Sequence, residues 1–241
     1  MYDIHAHILP QIDDGPRSRN ESLAMIIEAS RTGVKTLIAT PHMKDVNEKT
    51  SVKHVESLLQ LLKQDVKDLN LNITLKIGME NHLASDSPDM FATGKSLTIN
   101  STKFALIELP FFGYPNYVDD TLYQLIKNGI VPVLAHPERI ELIQNNPAKL
   151  EAFLDKGMIA QITSGSLIGQ FGQEVKSFTE MLVATGLVHV IGSDCHRPFG
   201  RRAPDLHIGF KAAARLVGEL KAKAMVYDNP KSIINGTYKI C

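Results

Sequence analysis

Short runs of β-branched and aliphatic residues recur along this chain, each followed by a stretch with helical periodicity. The runs fall at residues 2–7, 34–40, 73–79, 104–109, 131–136, 159–163 and 188–193. Between them, 21–31, 51–69, 118–127, 147–156, 173–185 and 204–223 read as helices, and 85–95 as a shorter one. Continuous apolar strands joined by helical crossovers imply a parallel sheet covered on both faces. Seven such units with no Pro/Gly/Ser-rich linker predict a closed or nearly closed (β/α) barrel over residues 1–241 as one domain. An open doubly wound sheet is the alternative. Asn20 is expected to cap the first helix and Asn146 to cap the helix starting at Pro147, while Gly33, Gly129, Gly157 and Gly186 close four others. A polar loop over 43–51 should overhang the C-terminal ends of the strands.

Those ends carry the chemistry, because functional groups of parallel α/β folds gather there. The first strand supplies His5 and His7; two residues apart, they should share a face, with Ile4 and Ala6 on the other. Asp14 follows, then His42, Glu80, Glu108, His136, and finally Asp194 with His196. The sixth strand ends in Thr163-Ser-Gly-Ser166, which has hydroxyls and N–H groups but no strong ligand. A single histidine is more often a satisfied core or surface residue than a ligand, and Glu108 alone could be a charge turned outward. Recurrence at nearly every strand end decides for the shared-metal reading, because a carboxylate inside an apolar run is costly to bury without a cation. Imidazoles and carboxylates without thiolates suit Mn²⁺, Fe²⁺ or Zn²⁺ in a working rather than a structural site. Nine ligands exceed one ion's needs, so two or three ions sharing a bridging carboxylate are expected. His54, His189 and His207 fall outside the pattern; His82 is at most an extra ligand or a supporting group.

Composition excludes several other roles. Lys+Arg and Asp+Glu balance at 26 each, so no global field draws nucleic acid or an anionic membrane, and a nuclease is disfavoured. No apolar run is long enough to span a bilayer, and the N-terminus lacks a signal-peptide pattern. Two cysteines, Cys195 and Cys241, make no disulfide framework and fit a reducing cytoplasm.

Asp3-Ile-His-Ala-His7, Thr40-Pro-His42, His136-Pro137 and Ser193-Asp-Cys-His196 resemble the motifs of the PHP (polymerase and histidinol phosphatase) superfamily. His7-Ile-Leu-Pro-Gln-Ile-Asp-Asp-Gly15, His136-Pro-Glu-Arg139 and the stretch 161–172 narrow the likeness to bacterial manganese-dependent protein-tyrosine phosphatases of capsule and exopolysaccharide clusters. The likeness runs in order along nearly the whole chain and fades after about Val217. It implies a distorted seven-stranded (β/α) barrel with three metals. His5, His7, Glu80 and Asp194 would hold the first ion; Glu80 would bridge to a second, completed by Glu108 and His136; Asp14, His42 and His196 would hold the third. Arg139 and Arg201 match the phosphate-gripping positions; spacing from His196 favours Arg201 over its neighbours Arg197 and Arg202, which sequence alone does not rank. The implied reaction is hydrolysis of phosphotyrosine by a metal-bridged hydroxide, with the tail of a bacterial tyrosine kinase regulating polysaccharide export as substrate.

Relatives commonly carry a small residue and then Asn where this chain has Cys195 and Arg197; the added charge of Arg197 is expected to alter substrate preference. Cys195 and Arg201 also stand in the Cys-x₅-Arg spacing of the unrelated cysteine phosphatases. Asp194 beside the thiol, strand alternation turning Cys195 from the site, and few glycines for a phosphate cradle argue that this spacing is coincidence. Two other functions remain open at this level: a histidinol-phosphate or other small-molecule phosphoesterase, and a non-catalytic metal-stabilised interaction module.

Overall fold

A computed structural model describes residues 1–239; Cys241 lies outside them. Its strands are β1 (Tyr2–Ala6), β2 (Thr36–Ala39), β3 (Thr74–Ile77), β4 (Glu80–His82), β5 (Phe104–Glu108), β6 (Val131–Ala135), β7 (Ile159–Thr163) and β8 (Val190–Gly192). All pairings are parallel, but they form two sheets, β1-β2-β3 and β4-β5-β6-β7-β8. The expected seven-stranded barrel is therefore corrected to eight strands in two parallel sheets.

The extra strand arises within one expected run. Residues 74–77 pair back to β2, the chain kinks through Gly78-Met79, and residues 80–82 pair forward to β5. The Asn81 amide donates to the carbonyls of Met79, Leu97 and Leu106, filling bonds that a continuous ladder would otherwise make. Isolated bridges Ala6–Cys195 and His42–Glu80 tie the two sheets together at both breaks. Both bridges fall at candidate ligands or beside them.

Two apolar clusters flank the strands. One packs Leu37, Leu75, Ile107 and Ile162 under the helices. The other is lined by Ile4, Ile38, Phe104, Leu106 and Val133 and capped by Ile99, Ile233 and Ile234. Ile4 and Ala6 belong to different clusters, so they do not share a face as simple alternation predicts. The β1–β2 register slips between Asp3 and Ala6, and such a bulge re-aims the side chains it contains.

Each expected helix forms, most with ends within two residues, but two capping residues differ. The helices over Met43–Lys49, Glu141–Asn145, Ser164–Leu167 and Asn229–Ile234 fall outside the expected set. Ser18, not Asn20, caps α1 (Arg19–Arg31), accepting from the Glu21 N–H. Pro147, not Asn146, precedes α7 (Ala148–Asp155) and makes no side-chain cap. The 43–51 segment is mostly helical, α2 (Met43–Lys49), because Met43 and Val46 bury one side of it. Gly218, at φ 84°, splits the long C-terminal helix into α10 (Leu206–Val217) and α11 (Glu219–Lys223), after α3 (Val52–Asp68), α4 (Ser87–Ala92), α5 (Val118–Lys127), α6 (Glu141–Asn145), α8 (Ser164–Leu167) and α9 (Gln173–Ala184). Gly33, Gly129, Gly157 and Gly186 all take positive φ just past helix ends, as expected.

Phe104 is fully buried at the base of the strand-lined cluster. Phe104→Ala should cost roughly 3–5 kcal/mol in urea unfolding by leaving a cavity. A loss below about 1 kcal/mol would show that this cluster relaxes around the void.

Candidate metal centre

The site is built at the C-terminal strand ends, around Glu80. This carboxylate is 1 % exposed, opens β4, and faces four imidazoles: His136 Nε2 at 2.9 Å, His42 Nδ1 at 3.0 Å, and His5 Nε2 and His7 Nε2 at 3.3 Å. Asp194 Oδ1 lies 3.4 Å from His5 Nε2 and 3.6 Å from His7 Nε2. Glu108 Oε1 is 3.5 Å from His136 Nε2, and its other oxygen is 3.2 Å from His82 Nδ1. Asp14 Oδ1 sits 2.9 Å from His196 Nε2 and 3.4 Å from His42 Nε2. All nine expected ligand positions thus converge, and His82 touches the cluster through Glu108. Among the described residues His54, His189 and His207 join no such group.

The donor set fits divalent cations on geometric grounds. His5 Nε2 and His7 Nε2 approach to 3.3 Å, and with each Nδ1 turned to Gln161 or Asp13 both Nε2 lone pairs are placed to meet a shared third centre. His196 Nε2 is buried and lies 2.9 Å from Asp14 Oδ1 without an aligned hydrogen bond, an arrangement open to a shared cation. Ligands about 2.1 Å from one ion lie roughly 3.0–3.4 Å apart, the spacing seen here. His7, Asp14, His42 and His196 group together, as do His5, His7 and Glu80, and His42, Glu80 and Glu108. The last two groups share Glu80, as a bridging carboxylate requires, and each meets the first through a histidine, His7 or His42.

Two orienting residues escaped the sequence reading. Asp13 Oδ2 holds His7 Nδ1 at 2.8 Å and the His42 N–H at 3.1 Å, and Gln161 Oε1 meets His5 Nδ1 at 2.8 Å. Such outer partners fix the tautomer, leaving Nε2 of each ring for the centre. Gln161 carried a usable signal: an amide in the apolar run Ile159–Thr163, fully buried. Asp13 was masked by its neighbour Asp14. Further out, buried Glu138 accepts from the Thr163 N–H and the Ser166 hydroxyl, pinning the end of β7. His136 (φ 33°) and Asp194 (φ 51°) adopt left-handed backbone, a strain that the surrounding contacts must hold.

A pocket of about 460 Å³ beside this centre is lined by Asp14, Arg139, Phe171, His196, Arg197, Arg201 and Arg202. The arginines are not equivalent. Arg139 and Arg202 each donate to Asp194 at 2.8 Å. Arg139 also lies over the rings of Phe111 and Phe171, at 5.2 and 4.4 Å. Arg197 donates to backbone carbonyls. Arg201 stacks on Phe171 at 5.4 Å and is exposed, with no hydrogen bond or ion pair among the described residues.

Cys195 is fully buried, and burial first, then Asp3, pushes its thiol well above the usual range. Asp194 contributes least among the groups raising it. Strand alternation is not the reason for its orientation either, because β8 ends at Gly192. Burial is thus the main ground for expecting an inert thiol, with Asp194 a minor one.

Electrostatics reinforce the cluster. Burial would raise Glu80, but the His5 charge and bonds from His136 and His42 hold it well below the usual carboxylate range. Burial would lower His7 and His42, yet Asp13 carries the first to about 9, and bonds to Asp14 and Glu80 carry the second to about 11. His196 is instead pushed down to about 4 by burial and by the His7 charge. Protons on His7 and His42 therefore compete with a cation for the same lone pairs. Uptake of a divalent cation at neutral pH should release protons, with affinity rising as pH climbs towards the His7 value of about 9. Calorimetry in buffers of different ionisation enthalpy checks this; a heat independent of buffer would contradict it.

Residues 1–235 match the family model described as capsular polysaccharide synthesis, CpsB/CapC. The tyrosine-protein phosphatase YwqE of Bacillus subtilis is 40% identical over 199 residues, covering 81% of this chain and 77% of the relative. The tyrosine-protein phosphatase CpsB of Streptococcus pneumoniae is 31% identical over 240 residues, covering 97% and 98%. A crystal structure from work on those two proteins, described as unique metal-dependent tyrosine phosphatases, superposes with a TM-score of 0.90 at 32% identity, covering 99% of this chain and 96% of that one. The match extends past Val217, where the motif likeness fades, into the final helices. This chain belongs to the CpsB/CapC family of capsular polysaccharide synthesis proteins.

Proposed function

We propose that this protein is a metal-dependent protein-tyrosine phosphatase, acting over residues 1–241 as one catalytic domain. The observation that carries the reading is the buried Glu80 carboxylate facing four imidazoles beside an arginine-lined pocket. His5, His7, Glu80 and Asp194 would hold one ion, Glu80, Glu108 and His136 a second, and Asp14, His42 and His196 a third. Mn²⁺ is the favoured metal, with Fe²⁺ or Zn²⁺ served by the same donors. Bound divalent ions lower the pKa of a coordinated water from ~15.7 towards neutrality and withdraw charge from phosphoryl oxygens.

The chain's own residues supply the rest. Asp13 and Gln161 keep the His7 and His5 rings turned with Nε2 inward. Arg201, uncommitted to any carboxylate, offers its fork of donors to the phosphate. Arg139 is steadied by Asp194 through one nitrogen and by two aromatic faces, leaving its other nitrogens for the same dianion. Arg202, paired with Asp194 and near Asp14, is the weaker candidate of the two adjacent arginines. The leaving tyrosyl phenolate has a pKa of about 10, so it departs with less protonic help than a serine alkoxide.

The substrate class follows from relatives named tyrosine-protein phosphatases, and the capsular family suits the tail of a bacterial tyrosine kinase as the target. An open pocket accommodates a mobile phosphorylated tail. No helix among the described residues is long and apolar enough to cross a membrane; a cytoplasmic site of action fits a kinase-tail substrate.

Chelation should abolish hydrolysis of a phosphotyrosine peptide, and Mn²⁺ should restore it, while Cys195→Ser keeps most activity. Activity surviving EDTA, or lost in the serine variant, would reverse the mechanism. Arg201→Ala should lower kcat/KM roughly 10- to 100-fold, the loss of charge-assisted bonds. Faster turnover of histidinol phosphate than of phosphopeptide would move the assignment to a small-molecule phosphoesterase.

A further inference from the structure

We infer that Arg197 is a positioning residue: its guanidinium clamps the loop bearing Asp14 to the backbone of His196, building the cation site of Asp14, His42 and His196. The inference rests on the ligand assignment proposed above. Asp14 is the weakest-held member of that assignment, with a side chain 59% exposed on the segment between β1 and α1. A carboxylate on a free loop loses its ordering entropy at the moment an ion binds; one on a fixed loop has already lost it. Something must therefore hold the loop.

Three sets of contacts do so. Gln11, at φ 62°, donates its N–H to the Pro16 carbonyl at 2.9 Å and closes the loop on itself. Asp13 fastens the loop's inner side to His7, His42 and the Gly15 N–H. Gly15 presses so close that a Cβ there would lie 2.7 Å from the His7 carbonyl oxygen. The outer side is held by Arg197, whose Nη1 donates to the carbonyls of Asp14 at 2.9 Å, Gly15 at 2.6 Å and His196 at 2.8 Å. Arg197 follows His196 in sequence, so one guanidinium group spans the backbones of two assigned ligands.

This geometry changes the meaning of a charge that sequence placed at the pocket mouth. Arg197 lines the pocket with Arg139, Arg201 and Arg202, yet its Nη1 hydrogens are shared among backbone oxygens. That nitrogen is committed to ligand geometry, whatever the remaining nitrogens of the group meet. The guanidinium suits the task because it stays charged and presents its donors in one rigid plane.

The test uses full-length protein stripped of metal and titrated with Mn²⁺ by equilibrium dialysis with metal analysis. The wild type, Arg197→Ala and Arg197→Lys are compared. The alanine variant should bind the ions around Glu80 with wild-type affinity and lose about tenfold or more at one remaining site. The lysine variant should recover part of that loss, and the metal-free melting temperatures should agree. Unchanged affinity at every site in the alanine variant would overturn the inference, as would uniform weakening of all sites. Full metal uptake with a raised KM for phosphopeptide would instead make Arg197 a substrate contact and equally overturn it. A wild type that takes up no Mn²⁺ refutes the ligand assignment itself, and the inference falls with it; that outcome is read before any variant is compared.

Discussion

A buried carboxylate surrounded by imidazoles is the constraint on which this molecule turns. Glu80 has almost no contact with water, so its charge must be balanced by protons on neighbouring rings or by cations between them. Its position is also architectural. Glu80 opens β4 at the point where the two sheets part, and the His42–Glu80 bridge spans that break. The opposite seam is closed by the Ala6–Cys195 bridge, flanked by His5, His7, Asp194 and His196. The ligands thus crowd where the two sheets meet through isolated bridges rather than a continuous ladder.

Much of the site was legible because charge inside apolar runs is conspicuous. Glu108 at the end of Phe104–Glu108 and His136 after Val131–Ala135 stand out against aliphatic neighbours, and the fold brings both to Glu80. The same logic, applied to an uncharged amide, would have singled out Gln161. Asp13 was harder: of two adjacent aspartates, the buried one orients and the exposed one faces the rings, and sequence carries no sign of which is which.

The fold was legible at the level of parallel strands and crossover helices, less so in how strands join. Residues 73–79 alternate apolar and polar side chains as one strand would, and Gly78 is the only mark of the kink at Gly78-Met79. The kink follows from tertiary bonding, since Asn81 supplies three backbone carbonyls at once. The slip in β1 had the same origin: strict alternation assigns Ile4 and Ala6 to one face, while pairing with β2 gains by shifting register. The arginines are separated physically only by their partners. Spacing from His196 favours Arg201 over Arg197 and Arg202 but gives no physical ground for it, whereas backbone carbonyls and Asp194 engage those two and leave Arg201 free.

The enclosure of Cys195 has a consequence beyond its silence in the chemistry. Phosphatases that attack through a thiolate stop when peroxide converts that sulfur to a sulfenic acid, which couples dephosphorylation to the redox state of the cell. A thiol kept protonated and shut away from solvent offers oxidants no such handle. Signalling through this protein would then continue through an oxidative burst that disables a cysteine-dependent counterpart.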